Sequence, residues 1–271
     1  MADLFPRDRL FVLAGPCVVE GDALNVSIAE ELARLSPMVP GGIVFKASFD
    51  KANRSNRNAA RGPGIHEGLE ALRRVKDATG MRVITDVHLP EQCAGAAEVA
   101  DALQIPAFLC RQTDLLEAAG ATNRAVNVKK GQWLQPEGMR GAVDKVRGAQ
   151  SKPGSPEIAV TERGTFFGYG DLVVDMRGFS RMSVATDCPV IFDATHSVQR
   201  PGMGEGGASG GARAFIPSLA LAAVAAGADG VFIETHPDPD NAPSDGPNML
   251  PLASLESLLK RLVAVWEALR A

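Results

Sequence analysis

The sequence predicts an α/β fold closed into a single (β/α)8 barrel of the TIM type, on three observations. Short β-rich apolar runs recur along the whole chain, helical patterns separate them, and no linker or shift in composition interrupts the alternation. Strand–helix alternation implies a parallel sheet with right-handed crossovers. Eight units ending in a helix favour closure over an open sheet, and about 250 residues is an ordinary size for such a barrel. All 271 residues, 1–271, are therefore assigned to one domain.

The runs are Leu10–Leu13, Ile43–Phe45, Val83–Thr85, Leu103–Ile105, Val126–Val128, Ile158–Thr161, Val190–Phe192 and Val231–Ile233. Several are apolar at consecutive positions, as strands buried on both faces require. Between them, Ile65, Leu69, Leu72 and Val75 share one helical face. In the last segment Leu255, Leu258, Leu259, Leu262, Val263, Trp266 and Leu269 do the same.

Composition narrows the function. The net charge is −4, which supplies no general attraction to nucleic acid or to a membrane surface. No apolar run is long enough to span a bilayer; the best, 216–226, is short and rich in small residues. No secretory signal opens the chain, because Asp3, Arg7, Asp8 and Arg9 crowd its start. Cys17, Cys93, Cys110 and Cys188 are too widely spaced for a zinc knuckle. A reducing, cytoplasmic location with free thiols is the expectation.

In this type of barrel the chemistry lies where strands end and βα loops begin. Those positions are rich in charge. The cationic set is Lys46, Lys51, Arg54, Arg111, Arg163, and one of Lys129 and Lys130. Strand neighbours point to opposite faces, so only one of that last pair reaches the mouth. Several cations converging on one mouth repel unless an anion binds between them, and guanidinium groups suit phosphate and carboxylate. Taken singly, each is as well explained as a solvated loop charge; together at strand ends they point to an anionic ligand.

A second set, Cys17, His196, Glu234 and Asp245, follows the first, seventh and eighth strands. The first and eighth strands are neighbours in a closed barrel. Thiolate, imidazole and carboxylate donors suit a divalent Mn, Fe, Co or Zn ion. The plain alternatives are a small buried hydrophobe for Cys17 and, for His88 and His236, hydrogen-bonded residues at the rim. After the seventh strand, 200–211 holds six glycines in twelve residues, which reads as a flexible loop or as a lid over the mouth.

Six stretches carry a resemblance. They are 13–17 (LAGPC), 45–55 (FKASFDKANRS), 106–114 (PAFLCRQTD), 127–132 (NVKKGQ), 193–199 (DATHSVQ) and 234–239 (ETHPDP) with 244–248 (SDGPN). In these the chain closely resembles the 3-deoxy-D-manno-octulosonate 8-phosphate synthases, in order over nearly its whole length. Lys51-Ala52-Asn53-Arg54-Ser55 is the specific motif; the sister synthases that feed aromatic amino acid synthesis carry Lys-Pro-Arg-Thr there.

The resemblance implies a condensation of phosphoenolpyruvate with D-arabinose 5-phosphate that releases inorganic phosphate, an early step towards the Kdo sugar of lipopolysaccharide. It implies that Lys46, Lys51, Lys129 and Arg163 hold phosphoenolpyruvate, and that Asn53, Arg54 and Ser55 hold the pentose phosphate; His196 is a further candidate contact to phosphoenolpyruvate as well as to the ion. Arg111 is implied to reach that phosphate across a subunit interface, hence a homotetramer, with Asp86 and Gln112 as further mouth residues. Lys51, Asp86 and His196 are the catalytic candidates. Cys17 places the chain with the metal-requiring class, since metal-free members carry Asn there. Trp133–Gly138 and Asn56 depart from the commoner family spelling. Alternative readings are the sister synthase acting on erythrose 4-phosphate, a metal-dependent aldolase on the same barrel, and a non-catalytic phosphosugar-binding barrel.

Overall fold

A computed structural model describes residues 3–53, 58–151, 157–200, 202 and 210–270. Its barrel strands are β1 (Phe11–Gly15), β2 (Ile43–Lys46), β3 (Val83–Asp86), β4 (Ala102–Ile105), β5 (Ala125–Lys129), β6 (Ile158–Glu162), β7 (Val190–Asp193) and β8 (Gly230–His236). Each pairs in parallel with the next, and β8 pairs with β1 over five register positions, which closes the barrel. The helices are α1 (Asp22–Leu35), α2 (Ile65–Thr79), α3 (Pro90–Val99), α4 (Thr113–Ala121), α5 (Met139–Ala149), α6 (Arg177–Thr186), α7 (Ile216–Ala225) and α8 (Leu252–Ala268). All eight expected runs fall in these strands, save that Leu10 lies one residue before β1.

Alternation along each strand sorts the side chains into two cores. Val12, Phe45, Val83, Leu103, Val126, Val160, Val190 and Val231 face outward and pack with the helices. Phe11, Leu13, Val44, Ile84, Ala102, Ala125, Ala159, Ile191 and Phe232 face inward and fill the barrel. Leu4 and Phe5 join this inner cluster as a plug, with Phe5 and Phe11 ring centroids 5.7 Å apart. The plug is tied down by backbone N–H groups of Leu4 and Phe5, which donate to the Glu157 carboxylate. Phe5→Ala should lower unfolding free energy by about 3–5 kcal/mol, the usual cost of emptying a buried aromatic site. Denaturant titration would check this, with KM values unchanged because the plug closes the end opposite the mouth.

Inward positions change character along each strand. Val44 is followed inward by Lys46, Ile84 by Asp86, Ala102 by Gln104, Ala125 by Asn127 and Lys129, Ala159 by Thr161, Ile191 by Asp193, and Phe232 by Glu234. The apolar layers close the barrel, and the polar layers above them form the floor of the site. On β1 the corresponding position is Gly15, where a Cβ would overlap the Lys46 carbonyl; the bare backbone lets β1 and β2 approach closely.

Three short additions break the eightfold pattern among the described residues, one of them Leu250–Pro251, which pairs in parallel with Thr235–His236. Thr165–Gly168 and Asp171–Val173 form an antiparallel hairpin after β6. Gln199–Arg200 pairs antiparallel with Gly210–Gly211 and draws together the ends of the glycine-rich segment. Residue 201 and residues 203–209, on which the lid reading rests, lie outside the described residues. On α8 the expected face holds for Leu255, Leu258, Leu259 and Leu262, with Val263 and Trp266 partly buried. Leu269 does not belong to it: it is the C-cap residue beyond the last helical position and is 54% exposed. No helix of the described residues is long and apolar enough to cross a membrane.

Candidate active site and metal centre

Lys46, at the end of β2, is buried in the barrel, where an unpaired ammonium would be costly. It is compensated from three sides. Its Nζ donates to Glu234 Oε1 at 3.0 Å, lies 3.5 Å from Asp86 Oδ2, and reaches the Cys17 carbonyl at 3.4 Å. Lys51 leans over the same group, donating to Ser48 Oγ at 2.9 Å and standing 3.8 Å from Glu234. Burial favours the neutral form of Lys51, but Cys17, Glu234, Asp86 and Asp245 together outweigh it and hold its pKa above the ordinary lysine value. Burial likewise works against the Asp86 charge, yet Lys46 and Lys51 keep its pKa well below the usual carboxylate range.

On the other side of the mouth the two neighbouring lysines separate as the pleat requires. Lys129 turns inward, donates to Asp193 and lies over the Phe232 ring at 3.4 Å. Lys130 turns outward, 3.5 Å from Glu162, and donates to the Gly131 and Leu134 carbonyls. Lys129 is therefore the one at the mouth. Burial lowers its pKa, with Asp193 opposing. Asp193 also accepts from the backbone N–H of Thr195 and His196 and from His196 Nδ1 at 2.8 Å. A carboxylate only accepts, so His196 Nδ1 carries a proton and donates it to Asp193, and Nε2 faces Glu234 Oε2, 3.6 Å away.

Ligand atoms of Cys17, Glu234 and Asp245 all lie within 4.8 Å of one another. Cys17 Sγ donates to Asp245 Oδ2 at 3.2 Å and is 3.0 Å from Ser244 Oγ. Gln199 Nε2 donates to Asp245 Oδ1 at 2.9 Å and orients that carboxylate. Asp245 itself adopts the left-handed region at φ 53°, a conformation Asp tolerates better than most residues and one found at functional sites.

These residues fit a divalent ion. Glu234 Oε2 is buried with no hydrogen-bond partner and lies 3.6 Å from His196 Nε2, an arrangement a cation held by both would satisfy. Burial, then the Glu234 charge, pushes the Cys17 thiol far up, so an ionised sulfur here needs a cation beside it. His196, the fourth expected ligand, borders the group through Glu234 but is not among the three in mutual reach.

Arg163, just beyond β6, is buried with Nη2 donating to Gln199 Oε1 at 2.6 Å. Its Nη1 is buried and makes no hydrogen bond. Burial lowers its pKa, against the pull of Asp193, Asp245, Glu162 and Glu234.

The remaining expected residues lie further out. Asn53 is exposed at the rim, and Arg54 and Ser55 fall outside the described residues. Arg111 and Gln112 are exposed at the start of α4, where the Arg111 carbonyl accepts from Lys145 on α5. Arg111 is exposed, whereas Lys46, Lys129 and Arg163 are buried. Ser48, Gln104, Asn127, Asp193, Gln199 and Ser244 belong to the site and were not singled out from sequence. For Gln104, Asn127 and Asp193 the available signal was the inward register of β4, β5 and β7, where a polar residue follows an apolar one at spacing two.

Residues 6–270 match the DAHP synthetase I family. The chain is 54% identical over 255 residues to the 2-dehydro-3-deoxyphosphooctonate aldolase of Bradyrhizobium sp. strain BTAi1, covering 94% of this chain and 87% of that one. It is 56% identical over 254 residues to the protein of that name from Rhodopseudomonas palustris strain HaA2, with the same coverages. To the one from Nitratidesulfovibrio vulgaris strain DP4 it is 55% identical over 258 residues, covering 95% and 92%. A closed barrel with a cationic, thiol-bearing mouth and this similarity over nearly the full length lead to one conclusion: the chain belongs to the DAHP synthetase I family.

Proposed function

We propose that the protein condenses phosphoenolpyruvate with D-arabinose 5-phosphate and water to give 3-deoxy-D-manno-octulosonate 8-phosphate and inorganic phosphate. The observation that carries this reading is the buried Arg163 with an unsatisfied Nη1, on the same mouth as Lys46, Lys51 and Lys129. Buried donors without partners are rare in folded proteins, and this one suits an anion bound against it. The Lys51-Ala52-Asn53-Arg54-Ser55 motif and the names of the relatives favour the five-carbon sugar phosphate over erythrose 4-phosphate.

The residues divide the work. Lys46, Lys51, Lys129 and Arg163 hold phosphoenolpyruvate and screen its repulsion from the second anionic substrate. Asn53, Arg54 and Ser55 hold the pentose phosphate, with Arg111 and Gln112 adding to it from the rim, Arg111 from a neighbouring subunit of a homotetramer. Carbon three of phosphoenolpyruvate bonds to the aldehyde carbon, water adds at carbon two, and phosphate leaves from there. Asp86 anchors the Lys46 and Lys51 ammonium groups beside the reacting carbons. His196, its Nδ1 proton held by Asp193, presents Nε2 to the same space. Cys17, His196, Glu234 and Asp245 would hold a divalent Mn, Fe, Co or Zn ion, which supplies Lewis acidity and a template for the aldehyde. The enzyme works in the cytoplasm.

A phosphate-release assay tests the reading. Phosphate should appear with arabinose 5-phosphate and at a far lower rate with erythrose 4-phosphate. Release only with the four-carbon sugar would assign the sister activity, and binding without release would make the protein a sensor.

A further inference from the structure

One feature of the barrel interior goes beyond binding and metal residues. A hydrogen-bonded chain crosses four strands beneath the mouth. Thr161 Oγ1 on β6 donates to Asn127 Oδ1 on β5 at 2.7 Å. Asn127 Nδ2 donates to Gln104 Oε1 on β4 at 2.9 Å. Gln104 Nε2 donates to Asp86 Oδ1 on β3 at 2.6 Å. Ser48 Oγ donates to the other oxygen, Oδ2, and itself accepts from Lys51.

The chain has one polarity. A carboxylate only accepts, so Asp86 forces Gln104 to present its amide nitrogen and leaves the Gln104 oxygen facing Asn127. The same logic fixes Asn127 and makes the Thr161 hydroxyl a donor. Thr161 and Asn127 are fully buried and Gln104 is 2% exposed, and the side-chain oxygen and nitrogen of Asn127 and of Gln104 are each paired within the chain. The layer directly below is apolar. An apolar layer here would serve stability at least as well, since buried polar groups cost desolvation unless each is satisfied.

We propose that Gln104, Asn127 and Thr161 are positioning residues that hold the Asp86 carboxylate in one orientation, and through Asp86 and Ser48 fix the places of the Lys46 and Lys51 ammonium groups. This deepens the condensation reading and rests on it. The residues touch neither substrate. Their removal loosens the separation of two bound anions, which affects the chemical step more than substrate capture.

The test is Thr161→Val, close in shape and lacking only the hydroxyl, assayed by phosphate release. Loss of one buried hydrogen bond in the chain should lower kcat about tenfold, with both KM values within about twofold of wild type. Thr161→Ser should restore kcat. In an Asp86→Asn background Thr161→Val should change kcat by less than about twofold, because the chain acts through that carboxylate. A purely structural role predicts the opposite: the loss would persist in the Asp86→Asn background and would follow a fall in Tm. Should Thr161→Val not fold, Thr161→Ala is read in the same way. An unchanged kcat, or a tenfold loss that persists without the Asp86 carboxylate, overturns the proposal while phosphate release by the wild type leaves the condensation standing. Absence of phosphate release by the wild type with either sugar overturns both.

Discussion

Replacing Arg163 with alanine should raise the KM for phosphoenolpyruvate by about 10²–10³-fold, with a much smaller change for arabinose 5-phosphate. The magnitude is that of truncating a buried, hydrogen-bonded charge at a binding surface, about 2–5 kcal/mol. The guanidinium is buried yet only half satisfied: Nη2 is held by Gln199, and Nη1 has no partner. Leaving such a donor unpaired costs the unliganded protein, and a phosphate or carboxylate oxygen would recover that cost on binding. Removing Arg163 should therefore leave the Tm of the ligand-free protein unchanged or raise it, a combination not expected of a structural arginine. Arg163→Lys should fall between, keeping the charge and losing the fork. Steady-state kinetics in both substrates, paired with calorimetry, check this; an unchanged KM removes Arg163 from the anion site.

Stripping divalent metal with a chelator should lower turnover by more than about 100-fold, given that the ion would supply several kcal/mol to the reacting centre. Adding back Mn, Fe, Co or Zn should restore it. Cys17→Asn should weaken that dependence. The thiol lies between Asp245 and Ser244, close to Glu234, in a pocket where burial and Glu234 oppose its ionisation. A thiolate added to two carboxylates concentrates negative charge that only a cation relieves. A neutral amide removes one of those charges and supplies its own donor to Asp245. Direct readouts separate binding from activity. The wild type should retain about one ion per chain after desalting, and saturation at 100 times Kd should stabilise it by about 2.7 kcal/mol. Cys17→Asn should lose most of both. Full chelator sensitivity in Cys17→Asn would show that the sulfur is not a ligand.

Much of this arrangement was readable residue by residue. The eight strands announced themselves because a barrel buries both faces of each strand, which leaves unbroken runs such as Val190–Phe192 and Val231–Ile233. The antiparallel hairpin at Thr165–Gly168 and Asp171–Val173 did not, because only Leu172 of the second strand is buried and exposed residues flank it. Lys46, Lys129, Arg163 and Glu234 could be picked out because charge at a strand end has few reasons to be there. Gln104, which donates to Asp86, and Asn127, which donates to Gln104, were not picked out, since their inward register is meaningful only once the strands are placed in the barrel.

The sequence by itself determined the fold class, the number of strand–helix units and the chemical types gathered at the strand ends, because hydrophobic period and strand-end charge are local properties of the chain. Only the tertiary structure decided that Lys130 turns outward towards Glu162, and that Asp193 pairs with Lys129 and orients His196. It also decided that Cys17 meets Ser244 and Asp245 across more than 220 residues of sequence. Closing β8 onto β1 is what brings those groups together, and that closure depends on register and packing summed around the whole barrel rather than on any one segment.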